Sequence, residues 1–137
     1  MKSIIELKVE MNKRARHVRA SLVHKIHEDS NRLSLRKLVN FDEDGRDVSV
    51  TWVEIDGRHL ALRTDASTRV YYILNGDFNF IIDGEAEIVA GPGDSVVIYR
   101  SCTYEFNGTG SYLVINGPAF QEGDDRYLAD VENLSGG

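Results

Sequence analysis

Apolar and polar side chains alternate with a two-residue period from about Arg32 onward. The alternating runs are rich in β-branched and aromatic residues, which is typical of strands that bury one face. They predict nine strands, at residues 33–41, 48–55, 59–63, 69–74, 78–82, 85–90, 95–99, 103–106 and 112–115. The separators, which include residues 56–57, 75–76, 83–84 and 107–110, contain glycine and favour tight turns. Short strands joined by such turns indicate an all-β barrel or sandwich.

The first 30 residues follow a different pattern. Apolar residues recur at steps of three and four, which on a helix would form a stripe opposite a row of Lys and Arg; they are Met11, Ala15, Val18, Leu22 and Ile26. The alternative is two extended segments, at residues 4–9 and 21–26, added to the edge of a sheet. The pattern leaves both interpretations open, so the arm is predicted to be partly helical or extended.

Length and charge limit the organisation of the protein. A chain of 137 residues is long enough for one compact domain and short for two. The net charge is -6, but residues 1–40 carry +6 and residues 41–137 carry -12. A basic arm of this kind binds nucleic acid or an anionic surface in some proteins. We expect instead that it packs on the acidic body of its own or a partner subunit.

The sequence contains no run of about 18 apolar residues and no secretory signal at its start. Its single cysteine, Cys102, excludes an internal disulfide. We therefore expect a cytoplasmic protein with no membrane partner.

Three segments carry a family resemblance: residues 71–76, residues 91–98 and the closing residues 116–120. Each combines a strand with a glycine turn, and together they resemble the cupin superfamily. The resemblance implies a single-domain cupin-type double-stranded β-helix, or jelly-roll barrel, at residues 41–120. It leaves a basic arm at residues 1–40 and an acidic tail at residues 121–137.

The family motifs place three histidines and a glutamate between conserved glycines. When the glycines are matched, those four positions hold Arg63, Asp65, Arg69 and Tyr104. A guanidinium group is positively charged and has no lone pair to donate, so it repels a divalent cation. The resemblance therefore implies a barrel without the usual metal, and we expect no other cofactor.

If the strands keep the family's alternation, five side chains point into the barrel: Arg63, Asp65, Arg69, Tyr71 and Tyr104. Arginine's forked donors match carboxylates and phosphates, and barrel mouths often bind small ligands. One hypothesis is therefore a pocket for an anion- or sugar-type molecule, with walls formed by Phe78, Phe80 and Phe106. The alternative is that Asp65 bridges the two arginines in an ion network that fills the barrel.

Three functions compete. The first is a metal-free cupin that binds a small molecule. The second is a metal-independent isomerase, epimerase or lyase, in which Tyr104 or His59 moves a proton. The third is an interaction protein that uses its basic arm. We also expect a homodimer, because cupin-like sheets leave an exposed apolar face and edge.

Other residues with reactive side chains fit simpler roles. His17, His24 and His27 have no cysteine or carboxylate set beside them, so we expect exposed side chains and no zinc site. Cys102 has no identifiable histidine partner and is interpreted as an ordinary loop cysteine.

Overall fold

The computed structural model describes residues 14–128, most of which form one curved antiparallel sheet. Its strands are β1 (Ile26–Glu28), β2 (Leu33–Val39), β3 (Ser49–Thr64), β4 (Thr68–Asn75), β5 (Phe78–Ile82), β6 (Ala86–Ala90), β7 (Ser95–Ile98), β8 (Thr103–Gly117) and β9 (Asp125–Tyr127). The helical segments of this part of the chain are α1 (Phe41–Asp44) and two 3-10 turns, Ala20–Leu22 and Asp29–Asn31. No helix among the described residues is long and apolar enough to cross a membrane. The all-β prediction is confirmed.

The two long strands, β3 and β8, pair with each other along almost their whole length. The first half of β3 also pairs with β2, and its end pairs with β9. The start of β8 pairs with β5, and its end pairs with β4. β1, β6 and β7 extend the sheet from β2, β5 and β4. Each long strand thus runs from one half of the barrel into the other, and the two halves enclose a space.

Two predicted turns, at residues 56–57 and 107–110, lie instead inside continuous strands. Gly57 has a φ of 118° within β3, a conformation that glycine adopts without strain. A Cβ atom at Gly110 would collide with the backbone carbonyl of Asn75. These glycines therefore allow the long strands to bend and to pass close to the β4–β5 turn.

The chain before β1 does not form the amphipathic α-helix within residues 14–26, where it contains only a 3-10 turn. The start of that helix, Met11, and the alternative extended segment at residues 4–9 lie outside the described residues. The extended interpretation is correct only at Ile26, which begins β1 at the edge of β2. Pairing with β2 holds this backbone extended and prevents the helix from continuing.

Two cations of the arm contact acidic residues of the same chain. The Arg16 guanidinium donates hydrogen bonds to both carboxylate oxygens of Asp44 and to the carbonyl of Leu38. The Lys25 ammonium lies 3.8 Å from the Glu54 carboxylate. Ion pairs within the chain thus connect residues 16–25 to acidic residues that follow in the sequence.

Aromatic rings fill the centre of the barrel. Phe78, Phe80 and Phe106 are fully buried, and the ring of Phe106 stacks on Phe80 with centroids 4.8 Å apart. Burying each such ring stabilises the fold by roughly 1.5–3 kcal/mol. We expected these residues to be pocket walls, but they pack as core on one side of the barrel, and the cavity lies beyond them.

Candidate functional site

A β-bulge in β3 decides which of its side chains point inward. Between the pairs His59–Phe106 and Leu62–Tyr104, two residues of β3 face one residue of β8. A bulge of this kind shifts the alternation of side chains by one residue. Inward-facing residues therefore change from Val53, Ile55 and His59 before the bulge to Leu62 and Thr64 after it.

This shift corrects the prediction that Arg63 and Asp65 point into the barrel. Both side chains are partly exposed, and the Nε atom of Arg63 donates a 2.7 Å hydrogen bond to Asp65. Arg126 lies 4.0 Å from the other carboxylate oxygen of Asp65. The predicted bridge from Asp65 to Arg69 is wrong, because the buried Arg69 pairs with Asp125, while Asp65 pairs with Arg63 at the surface.

Arg69 is the buried cation of the barrel. It lies on β4, directly opposite Asn116 of β8. Its Nε donates to Asn116 Oδ1 at 2.7 Å, its Nη1 to the Tyr104 hydroxyl at 2.9 Å, and its Nη2 to Asp125 Oδ1 at 2.7 Å. Burial lowers the pKa of Arg69. The surrounding Tyr104, Tyr71 and Asp125 raise this pKa by more than burial lowers it, so the guanidinium remains charged.

Two tyrosine hydroxyls extend this network. The hydroxyls of Tyr71 and Tyr104 are 2.5 Å apart. The Tyr104 oxygen accepts from Arg69 and keeps a second lone pair, so either hydroxyl can donate in this contact. Burial raises the pKa of both phenols, and Tyr71 is raised well above its usual value, so both stay protonated at neutral pH.

His59 is the buried base of the site. Its ring stacks on Phe106, with centroids 4.8 Å apart, and its Nδ1 lies 2.9 Å from the Leu60 carbonyl oxygen. A carbonyl only accepts, so Nδ1 carries the proton and Nε2 keeps its lone pair. Burial lowers the pKa of His59, and the imidazole is therefore neutral at pH 7.

A cavity of about 280 Å³ connects these groups. Its polar side is formed by His59, Arg69, Tyr71 and Asp125, and its apolar side by residues that include Leu35, Val53, Val114 and Phe120. Tyr71 faces this cavity, and Tyr104 is buried behind it. The structure therefore brings together Arg69, Tyr71, Tyr104 and His59 of the predicted set, and leaves Arg63 and Asp65 outside.

Sequence reasoning missed several residues of the cavity. Asp125 and Tyr127 belong to β9, within the stretch that we interpreted as an acidic tail. Glu28 reaches the cavity from β1. The one available signal was the alternation of Asp125 and Tyr127, which is too short to identify a strand.

Neither a protein-family model nor a curated protein sequence matches the chain. Several solved structures are similar to the chain. The nucleoside dehydratase Pac13 aligns with a TM-score of 0.71 and 18% identity, over 82% of this chain and 90% of its own. KdgF from Halomonas sp. aligns with a TM-score of 0.69 and 12% identity, over 79% of this chain and 97% of its own.

An RmlC-like cupin from Shewanella frigidimarina aligns with a TM-score of 0.65 and 17% identity, over 79% of this chain and 96% of its own. The chain has the cupin fold. Three variants of Streptomyces PAC13 are also similar to this chain. In each of them a histidine or one of two tyrosines is substituted, and each is in complex with uridine.

The residues of this chain do not fit the metal that its sequence resemblance to cupins would suggest. Of the four positions matched to family ligands, Arg63 and Asp65 lie outside the barrel, and Arg69 brings a fixed positive charge inside it. Tyr104 is a neutral phenol that already accepts from Arg69. Within residues 14–128, no three His, Cys, Asp or Glu side chains converge on a point that would hold a metal ion.

The remaining candidate residues from the sequence lie away from the cavity. His17, His24 and His27 are exposed and spread over an irregular segment and β1, so they share no helical face. Cys102 is partly buried beside the core, in the loop before β8.

Proposed function

We propose that this cupin binds a small, polar, uncharged molecule of the sugar or nucleoside type and acts on it without a metal. His59 removes a proton from a carbon beside a carbonyl group. The Tyr71 hydroxyl stabilises the negative charge that develops on the carbonyl oxygen. His59 then returns the proton to another carbon or to a departing hydroxyl, which gives an isomerase or a lyase.

The observation that carries the proposal is the contact of the buried His59 Nδ1 with the Leu60 carbonyl, 2.9 Å away. A neutral imidazole with an unprotonated Nε2 is the form required of a general base. Its ring and that of Tyr71 pack on the same phenylalanine, with centroids 4.8 and 5.2 Å from that of Phe106. The two groups are thus held on a common rigid support, which preserves their relative positions.

Tyr71 suits the role of hydrogen-bond donor rather than acid. Its raised pKa keeps the proton on the phenol, and the Tyr104 hydroxyl and the Arg69 guanidinium lie behind it. A chain of donors directed at one point polarises its last member. Prearranged donors of this kind stabilise an oxyanion in a water-poor site.

Charge balance in the cavity favours an uncharged ligand. Arg69 and Lys37 contribute two positive charges to the lining, and Glu28 and Asp125 contribute two negative charges. The Arg69 guanidinium is already neutralised by Asp125 at 2.7 Å, so it offers little to an anion such as a phosphate. The volume of about 280 Å³ lies at the lower end of ligand pockets, which suits one or two small rings.

The comparison with PAC13 gives separate support. The substituted histidine and tyrosines of its uridine-bound variants follow one another along that chain in the order of His59, Tyr71 and Tyr104 here. The two intervals between them are each one residue shorter in this cupin. These intervals support the choice of the three residues and of a nucleoside as the first ligand to test.

Two measurements test the proposal. A thermal-shift screen with uridine, ribose and a panel of aldoses and ketoses should identify compounds that raise the melting temperature. Carbonyl compounds that bind are then incubated with the protein in D₂O, and proton NMR follows exchange at the carbon beside the carbonyl. We expect exchange with the wild type, none with His59→Gln, and normal exchange with the matched surface variant His24→Gln.

The second candidate is a binding protein without turnover. The feature that favours it is that the Arg69 guanidinium is bonded to three protein partners, Asn116, Tyr104 and Asp125, and the Tyr71 hydroxyl to Tyr104. Binding of uridine or a sugar with no deuterium exchange at any compound would support this candidate and contradict the enzymatic one.

A further inference from the structure

Asn31 is a fully buried polar residue that the proposed chemistry does not use. It ends the 3-10 turn between β1 and β2 and is only 1% exposed. A buried amide is costly unless its donors and acceptor are satisfied. Its hydrogen bonds therefore indicate what the side chain contributes.

Both ends of the Asn31 amide are bonded. Its Nδ2 donates to Glu28 Oε1 at 2.5 Å, and its Oδ1 accepts the backbone N–H of Leu60 at 2.8 Å. Leu60 belongs to the β-bulge of β3, where the regular ladder with β8 is interrupted. The Asn31 side chain thus supplies the partner that the bulge peptide does not obtain from the sheet.

The same residue, Leu60, also holds His59. Its N–H donates to Asn31, and its carbonyl accepts from the Nδ1 of His59. Asn31 and the His59 ring therefore fix the two polar groups of one bulge residue. Any rotation of the peptide that follows Leu60 would break the bond that keeps the proton on Nδ1.

We propose that Asn31 is a positioning residue that holds the bulge and thereby fixes the His59 tautomer with an unprotonated Nε2. The role rests on the proposed function, since that tautomer is the one able to remove a proton from a ligand. Without the amide oxygen, the Leu60 N–H is left unpaired in the interior, and the movement of Leu60 that recovers a partner displaces its carbonyl from the Nδ1 of His59. The imidazole is then free to populate both tautomers.

The test is a long-range ¹H–¹⁵N correlation spectrum of the labelled full chain at pH 8, in which each imidazole nitrogen reports whether it is protonated. The signals of His59 are assigned as those missing in His59→Gln. In the wild type we expect a protonated Nδ1 and an unprotonated Nε2. In Asn31→Leu, which keeps the volume and removes both bonds, we expect signals of the other tautomer. Because the bond to the Leu60 carbonyl raises the His59 pKa, we also expect that pKa to fall.

Glu28→Gln is the matched variant, because its amide oxygen still accepts from Asn31 Nδ2 and Asn31 still accepts the Leu60 N–H, and we expect it to retain the wild-type tautomer. A wild-type His59 protonated on Nε2 would overturn the inference, even if Asn31→Leu failed to fold. An unchanged spectrum in a folded Asn31→Leu would overturn it too. The spectrum needs no substrate, so an inactive protein with the expected tautomer would contradict the proposed function and leave the role of Asn31 intact.

Discussion

Arg69 of β4 and Asp125 of β9 form an ion pair with a nitrogen–oxygen distance of 2.7 Å and side chains that are only 4% and 18% exposed. The pair joins β4 to the last strand described in the chain, and both residues line the cavity. Removing two charges from water is costly, and loss of either partner would leave the other charge buried without a counterion. Asp125 therefore has two roles: it neutralises Arg69, and it holds β9 against the barrel.

We expect Asp125→Ala to lower the free energy of unfolding by about 3–5 kcal/mol, because it leaves a buried guanidinium without its counterion. Urea denaturation followed by circular dichroism measures the change. Asp65→Ala is the matched control, since it removes an aspartate from a pair with Arg63 at the surface, where solvent screens the charges. Equal losses in the two variants would contradict the assignment of Asp125 as the counterion.

The buried His59 makes stability depend on pH. Its folded pKa is lowered by burial, although Glu28 of β1 and Asp125 of β9 oppose the shift and Arg69 of β4 supports it. The unfolded chain takes up the proton near the ordinary value of 6.5. Stability is therefore fully present above pH 6.5 and is lost as the pH falls from there through the folded pKa.

We expect the unfolding free energy of His59→Gln to fall less steeply than that of the wild type as the pH is lowered from about 7.5 to about 5. Urea titrations at several pH values measure both profiles. His27→Gln, which changes an exposed histidine, serves as the control and should follow the wild type. Parallel profiles for the wild type and His59→Gln would contradict a lowered pKa at this position.

The two tyrosines of the network should separate binding from stability. Tyr71→Phe removes the hydroxyl that faces the cavity while Tyr104 keeps its bond to Arg69, so we expect a small loss of stability and loss of ligand-induced shifts. Tyr104→Phe leaves both Arg69 Nη1 and Tyr71 without a partner and should cost about 1–3 kcal/mol. Urea denaturation and thermal shift with uridine measure the two effects. A larger loss of stability in Tyr71→Phe than in Tyr104→Phe would contradict a hydrogen-bond chain that runs from Arg69 through Tyr104 to Tyr71.

We expect no stoichiometric transition metal in the purified protein. The inward positions that correspond to family ligands are a charged arginine and a protonated phenol, which compete poorly for such ions. Elemental analysis after purification without chelators measures the metal content. A metal-to-chain ratio near one would contradict the expectation.

We also expect a homodimer that pairs through the outer face of β4 and β7. Tyr72, Val97 and Tyr99 expose 38%, 44% and 68% of their surfaces on this face, and Val70 lies beside Val97. Light scattering at physiological salt should give twice the chain mass. Val97→Lys should shift the protein to monomer, whereas Val89→Lys, on the exposed face of β6, should not. A wild-type monomer at high micromolar concentration would contradict this expectation.

Local patterns are enough to predict much of this fold. β5 has the predicted bounds, because Phe78 and Phe80 alternate with less buried residues between two glycine turns. The inward direction of Arg69, Tyr71 and Tyr104 follows from regular alternation along β4 and β8. These features depend on a few neighbours in the sequence and therefore leave a signal in it.

Features that depend on distant contacts were not predictable in the same way. The three residues of β9 form a strand only because they pair with the end of β3, more than 60 positions earlier in the chain. The bulge in β3 is held by Asn31, which belongs to another element. The sequence around Leu60 therefore contains no signal of the bulge. The errors at Arg63 and Asp65 follow from that one missed bulge.

The same bulge means that residues 60–65 contain two alternative linings for the barrel. With the extra residue, Leu62 and Thr64 face inward; with regular pairing, Arg63 and Asp65 would take their places. Loss of the codon for Leu62, with the bulge retained, would place Arg63 opposite Tyr104 and Asp65 two positions later, which exchanges an uncharged lining for a charged one while the strand itself persists. A one-residue deletion in this part of β3 therefore changes two inward-facing side chains at once.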